Sequence, residues 1–190
     1  MKISPKIYAP ILVLIALGVS LYFIIKLRKK MNLQGLFEHL EAKKKAFITA
    51  HAPAVLDSVK GTPLLPSVVM AQMIQESGWG SASPVLSGTY NNYFGIKAGK
   101  GWKGKITPSL KDAHLPASDR YRAYNSPEES IKDHNKLLLT LSRYAKVKEA
   151  QTPEGQAWAI DNGGYAVPGA YAPALIRVIE SNNLKALDTL

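Results

Sequence analysis

Residues 7–25, IYAPILVLIALGVSLYFII, are 19 consecutive positions without a charged side chain, and no other feature constrains this chain as strongly. An α-helix needs roughly 20 apolar residues to cross the hydrocarbon core of a bilayer. Pro10 and Gly18 are tolerated inside such a helix. The basic stretch KLRKK follows at once, and no small-residue cleavage site does. The run is therefore expected to be an uncleaved anchor rather than a signal peptide. A helix apolar on every face also suits a membrane better than a buried core. Both flanks are basic: Lys2 and Lys6 precede the run, and Lys26, Arg28, Lys29 and Lys30 follow it. Taken alone, the positive-inside tendency would leave the larger, C-terminal part in the cytoplasm.

Charge has to be divided before it is interpreted. The chain holds 24 basic and 14 acidic residues, a net charge of +10. Residues 1–30 hold six of the basic residues and none of the acidic, which leaves residues 31–190 with 18 against 14, or +4. A mildly basic domain suits an anionic polymer or membrane surface, but it has no concentrated Lys/Arg stripe for nucleic acid. KLRKK at a membrane edge is first a contact for lipid headgroups.

Several chemistries are excluded. The absence of cysteine rules out disulfides, thiol nucleophiles and thiolate metal sites. The four histidines, His39, His51, His114 and His134, lack metalloprotease spacing, and no metal or cofactor is expected. GKGWKGK lacks P-loop spacing, and no GxSxG elbow is present. Carboxylate chemistry remains.

Along residues 31–190 the pattern is mainly helical. Leu33, Leu36, Phe37, Leu40 and Phe47 recur at helical intervals and predict a helix over 32–50. After the turn VKGTPLLP, Pro66 suits the first turn of a second helix that carries Val69, Met73 and Ile74 on one side. Gly78 can end it. Residues 77–124 are rich in Gly, Ser, Asn, Tyr and Trp, and NNYFGIKAG and DRYRAY predict short strands or extended loops. Ser126, Pro127 and Glu129 form a capping box for a third helix with Ile131, Leu138 and Leu141 on its apolar face. Thr152 and Pro153 repeat the start signal, Gly163 and Gly164 the stop, and a last helix runs through APALIRVIESNN. The expected fold class is α+β, mainly helical, with a small irregular β lobe inserted between helices and a single transmembrane helix in front.

Glu76 stands out in MAQMIQESGWG. A carboxylate at a helix C-terminus opposes the helix dipole by roughly 0.3–1 kcal/mol. An apolar helix face and the nearby indole of Trp79 would add desolvation. Both effects favour the neutral acid, which a general acid for glycosidic cleavage requires. Sugars present apolar C–H faces as well as hydroxyls, so the aromatics of the insert, Trp79, Tyr90, Tyr93, Trp102 and Tyr121, suit a groove. Glu128, Glu129 and His134 have a sufficient account as helix start and packing face.

Four blocks, MAQMIQESGWG, YNNYFGIKAGKGWKGK, RYRAYNSPEESIKDHNKLL and GGYAVPGAYAPALIRVIESNNL, occur in that order. Together they resemble the glucosaminidase family of peptidoglycan hydrolases, glycoside hydrolase family 73, which includes autolysin domains and the flagellar wall-penetrating enzyme. The resemblance covers about residues 33–185. It implies a lysozyme-like fold with a long sugar-binding groove and endo-β-N-acetylglucosaminidase activity on peptidoglycan glycan strands. Glu76 then matches the family's catalytic acid, and Tyr165 of GGYA the motif tyrosine near the reacting sugar. Asn92, Phe94 and Gly95 match the block lining the groove; Trp79, Trp102 and Tyr121 are the aromatic candidates for substrate binding.

The resemblance breaks at one point. The family usually supplies a second carboxylate as a Glu in the β lobe, yet residues 77–127 contain no Glu, and only Asp112 and Asp119 are acidic. Asp119, two residues before Tyr121, is the favoured replacement. Glu76 acting alone with the substrate's 2-acetamido group is a second route. A non-catalytic tethered wall-binding module and a lytic transglycosylase are further alternatives. The expected organisation is an anchor and basic flank over 1–30 and the glucosaminidase domain over 31–190. Because its substrate lies outside, the domain is expected on the periplasmic or outer face of the cytoplasmic membrane, against the charge count.

Overall fold

A computed structural model describes the backbone of residues 5–83, 85–108 and 120–190, with side chains described at 15, at 18–28 and, within the later stretches, from 31 onward. The chain divides into two compact units, Met1–His39 and Leu40–Leu190. In the first, helix α1 spans Pro5–Leu36. Among the described residues no helix is long and apolar enough to cross a membrane. Most side chains of the predicted anchor 7–25 lie outside the described residues.

The second unit is built from α2 (Ala42–Val59), α3 (Pro66–Ser77), α4 (Pro127–Thr140), α5 (Pro153–Asn162) and α6 (Tyr171–Ser181). A π turn at Val85–Thr89 and 3-10 segments at Ser142–Lys148 and Leu184–Thr189 complete its regular elements among the described residues. The helix predicted over 32–50 is in fact interrupted. α1 ends at Leu36, the Glu38 N–H turns back onto Gly35 O, and α2 starts after Glu41 at φ −52°, ψ 145°. Gly35, a poor helix former, sits at the break.

α3 is the central helix, packed against α2, α5, α6 and the Leu184–Thr189 segment. Its sequence looks one-sided, but Val68, Val69, Met70, Ala71, Gln72, Met73 and Ile74 are all buried. A helix covered on every side needs its orphan N–H groups satisfied from outside, because water cannot reach them. Leu65, its N-cap, provides no side-chain bond. Instead the Asp188 carboxylate accepts from Ser67 N at 2.8 Å and Ser67 Oγ at 2.7 Å. Gln156 Oε1 accepts from Leu65 N at 3.0 Å.

The insert after α3 holds little strand. Two antiparallel bridges, Lys97 with Tyr121 and Ile106 with Arg122, place the extended residues 120–123 between two other segments. Ala98 N donates to Arg120 O and Arg122 N to Ile96 O on one side; Thr107 N donates to Tyr121 O and Ala123 N to Lys105 O on the other. At α4 the Ser126 hydroxyl accepts from Glu129 N, while the Glu129 carboxylate reaches back to Asn125 N, one residue beyond the expected capping-box partner. Leu141, predicted on the α4 face, is the C-cap and is exposed, whereas Ile131 and Leu138 are buried.

Candidate active site

Glu76 occupies the last turn of α3, as predicted from Pro66 and Gly78. Gly78 adopts φ 53° and its N–H bonds Ile74 O. A Cβ there would come within 2.9 Å of Ala82 Cβ, so both the turn and the close approach require glycine. Trp79 follows at φ 60° and Gly80 at φ 74°, three consecutive left-handed residues. A bulky residue at positive φ is strained. The turn is held by Gly80 N on Ser77 Oγ at 3.0 Å and Ala82 N on Ser77 O at 2.8 Å.

The Glu76 carboxyl is half-buried, and burial raises its pKa above the ordinary carboxylate value. One hydrogen bond works in the opposite direction: the Tyr171 hydroxyl donates to Glu76 Oε1 at 2.5 Å. Gln72, one helical turn before Glu76, donates from Nε2 to the Tyr171 oxygen at 3.3 Å. Tyr165 lies flat against Tyr171, with ring centroids 5.3 Å apart and planes at 19°. Burial first, then the charge of Glu76, holds the Tyr165 hydroxyl well above the usual phenol range. The edge of His134 meets Tyr165 at 5.9 Å, and His134 stacks on Phe94 at 3.9 Å.

The loop that carries Tyr165 is tied to α5. Asp161, at the end of that helix and buried, accepts from Gly169 N and from Ala172 N, both at 3.0 Å. It thus closes the loop and caps the first turn of α6, where Ala170 offers no side-chain cap. Gly163 lets the loop lie against Tyr144: a Cβ there would fall 2.4 Å from Tyr144 Cδ1.

The other predicted residues divide. Trp79 is half-buried, edge-on to Phe47 at 5.7 Å, with Lys44 Nζ 5.8 Å above its ring. Tyr93 joins the same cluster, 6.1 Å from Phe47 and 4.8 Å from His51. Trp102 lies under the Arg122 guanidinium at 4.5 Å and donates from Nε1 to Lys105 O. Gly95, at φ 61°, has open space where a side chain would be. Asn92, Phe94 and Tyr121, in contrast, are buried. Asn92 donates from Nδ2 to Ile96 O and Arg122 O and accepts from Ile96 N, so its amide serves the β lobe's backbone. Phe94 packs on His134, and Tyr121 packs with Leu86 and Tyr90. Asp119 and Asp112 lie outside the described residues. Among the described residues no group of three His, Asp or Glu side chains could hold a metal ion.

Sequence reasoning missed Tyr171, Gln72 and Asp161. Gln72 carried a signal, since i and i+4 share a helix face. The other two carried none, because their partners are distant in sequence or are backbone groups.

Comparison with known proteins finds relatives of this chain. Residues 52–184 match the family model Glucosaminidase, mannosyl-glycoprotein endo-beta-N-acetylglucosaminidase. The peptidoglycan hydrolase FlgJ of Salmonella typhimurium is 34% identical over 127 residues, 63% of this chain and 40% of that protein. The match spans less than half the length of the FlgJ proteins of Salmonella and Escherichia coli. The crystal structure of a peptidoglycan hydrolase from Sphingomonas sp. A1 superposes with a TM-score of 0.64 at 32% identity, covering 75% of this chain and 91% of that one. The glycoside hydrolase domain of Salmonella FlgJ superposes with a TM-score of 0.63 at 30% identity, covering 78% and 92%.

Proposed function

Because this chain belongs to the glucosaminidase family, with the family match running through both Glu76 and Tyr171, we propose that it is a peptidoglycan hydrolase acting as an endo-β-N-acetylglucosaminidase, with Glu76 as general acid. The observation that carries this reading is the carboxyl itself. It ends a buried helix, its pKa is raised by burial, and one of its oxygens is held by Tyr171. A carboxyl so placed holds its proton to higher pH than an exposed one does, and can deliver it to a glycosidic oxygen as the bond to C1 breaks.

Trp79 and Trp102, both partly exposed aromatics, are the sugar-binding candidates, with Gly95 leaving open space beside the β lobe. Asn92, Phe94 and Tyr121 would act by shaping the lobe from within. Tyr165 would face the reacting sugar from the α5–α6 loop. The water that completes hydrolysis would be activated by Asp119, or the substrate's own 2-acetamido group would supply the internal nucleophile. The uncharged run 7–25 would anchor the protein in the cytoplasmic membrane, with residues 31–190 on the periplasmic or outer face.

The test is digestion of peptidoglycan by the purified full chain, with fragments reduced by borohydride and weighed by mass spectrometry. Reduced N-acetylglucosamine ends are expected. Anhydro ends would reassign the protein to the transglycosylases, and binding without fragments would make it a tethered wall-binding module. Location is tested separately by reporter fusions at Leu190: activity of a reporter that works only in the cytoplasm would overturn the topology.

A further inference from the structure

The hydroxyl of Tyr171 has one proton, and its neighbours decide where that proton points. Glu76 Oε1, 2.5 Å away, can only accept it while the carboxylate is charged. Gln72 then has to present its amide N–H, not its carbonyl, to the Tyr171 oxygen, and it does so at 3.3 Å. This orientation leaves Gln72 Oε1 buried without a partner among the described residues. Turning the amide over would set two acceptor oxygens against each other.

Two packed helices hold all three groups. Gln72 and Glu76 share a face of α3, Tyr171 opens α6, and α6 packs on α3. Tyr165 from the α5–α6 loop closes over the ring of Tyr171, and the ring of Tyr144 lies 6.2 Å from that of Tyr165.

We infer that Tyr171 is the positioning residue of the acid: its hydroxyl fixes Glu76 Oε1, leaves Oε2 to carry the proton, and stabilises the charge that Glu76 acquires on giving that proton up. The inference rests on the reading of Glu76 as general acid. In the step, the O–H bond at Oε2 breaks and its electron pair stays on the carboxylate. The proton passes to the glycosidic oxygen, which also takes the electrons of its breaking bond to C1. Tyr171 keeps its own proton throughout. Burial first, then the neighbouring Tyr165 and Glu76, holds its hydroxyl far above the usual phenol range. Two opposed effects thus meet on one carboxyl: burial raises its pKa and Tyr171 lowers it.

The experiment is a pH–rate profile of the full chain on soluble glycan strands, comparing wild type with Tyr171→Phe. Losing a hydrogen bond to a charged acceptor weakens the ionised form, so the alkaline limb moves up by about one pH unit. The value of kcat falls by roughly tenfold or more while KM changes little. The Gln72→Met variant shifts the limb the same way by less, and supplies the test if Tyr171→Phe does not fold. An unmoved limb in both variants overturns the role of Tyr171. A second readout is independent of turnover: the 13C titration of the Glu76 carboxyl, assigned by its loss in Glu76→Gln, rises in Tyr171→Phe. If it does not rise, the inference falls even where cleavage is intact. Cleavage by Glu76→Gln would instead overturn the underlying acid assignment.

Discussion

Glu76 and Tyr171 are 95 residues apart in the chain and share a 2.5 Å hydrogen bond. The contact joins the end of α3 to the start of α6. It fixes one carboxyl oxygen of Glu76, so the placement of that carboxyl at the end of α3 depends on where α6 begins.

Replacing Glu76 with Gln is expected to lower cleavage by at least about 100-fold, within the usual range for a general acid. The same variant is expected to be more stable than wild type at neutral pH. The folded pKa of Glu76 is raised, so the folded state binds its proton more tightly than the unfolded state does. Stability is therefore lost as pH rises from the unfolded pKa through the folded one. Thermal melts should show Glu76→Gln with the higher Tm at pH 7 and the difference vanishing near pH 4.

Asp161→Ala removes an acceptor from two backbone N–H groups in a buried setting. It should cost about 2–4 kcal/mol in urea unfolding, since hydrogen bonds to charged groups contribute about 1.5–3 kcal/mol each and are not additive. Because those bonds place Tyr165 and Tyr171, activity should fall further than stability predicts. Assays at 10 °C, where the variant is folded, separate the two effects.

His134 gives the domain an acid-sensitive point. Burial lowers its pKa to about 4, its Nδ1 pairs with Asn135 Oδ1, and its Nε2 has no partner among the described residues. The depressed pKa makes the unfolded state the better proton binder below about pH 6.5, so stability falls as pH drops toward 4. The loss attributable to His134 is about 2 kcal/mol at pH 5. His134→Leu should flatten the Tm profile between pH 6.5 and 4.

Asp188→Ala removes the cap that α3 receives from the Leu184–Thr189 segment. Capping losses are typically about 1 kcal/mol and reach about 2. Denaturant midpoints should fall accordingly, while the pH–rate profile keeps its shape because Glu76 lies at the opposite end of the helix.

Much of the local structure was legible in the chain. Pro66 and Gly78 bracket α3, Ser126 and Thr152 cap α4 and α5, and Glu76 was found from its position before Gly78. These features act within about four residues, where backbone geometry and side-chain type are sufficient. Misreadings began where burial decided. Leu141 had the right spacing for a face that had already ended, and α3 looked one-sided although every side of it is covered. Tyr121 suited a groove as an aromatic and Asn92 through the resemblance to the family's groove block, yet both are buried: Asn92 bonds the β lobe's backbone and Tyr121 packs with Leu86 and Tyr90.

Most helix start and stop signals, the resemblance to the family and the choice of Glu76 as the candidate acid can be read from the chain alone. These rest on short-range rules or on motif blocks that follow one another in the chain. Packing between distant segments sets which groups surround Glu76. Gln156 and Asp188 close the start of α3, Asp161 ties the loop, and Tyr171 reaches Glu76 from another helix. A carboxyl's pKa depends on burial and on donors a few ångströms away, and those neighbours are set by packing between residues far apart in the chain.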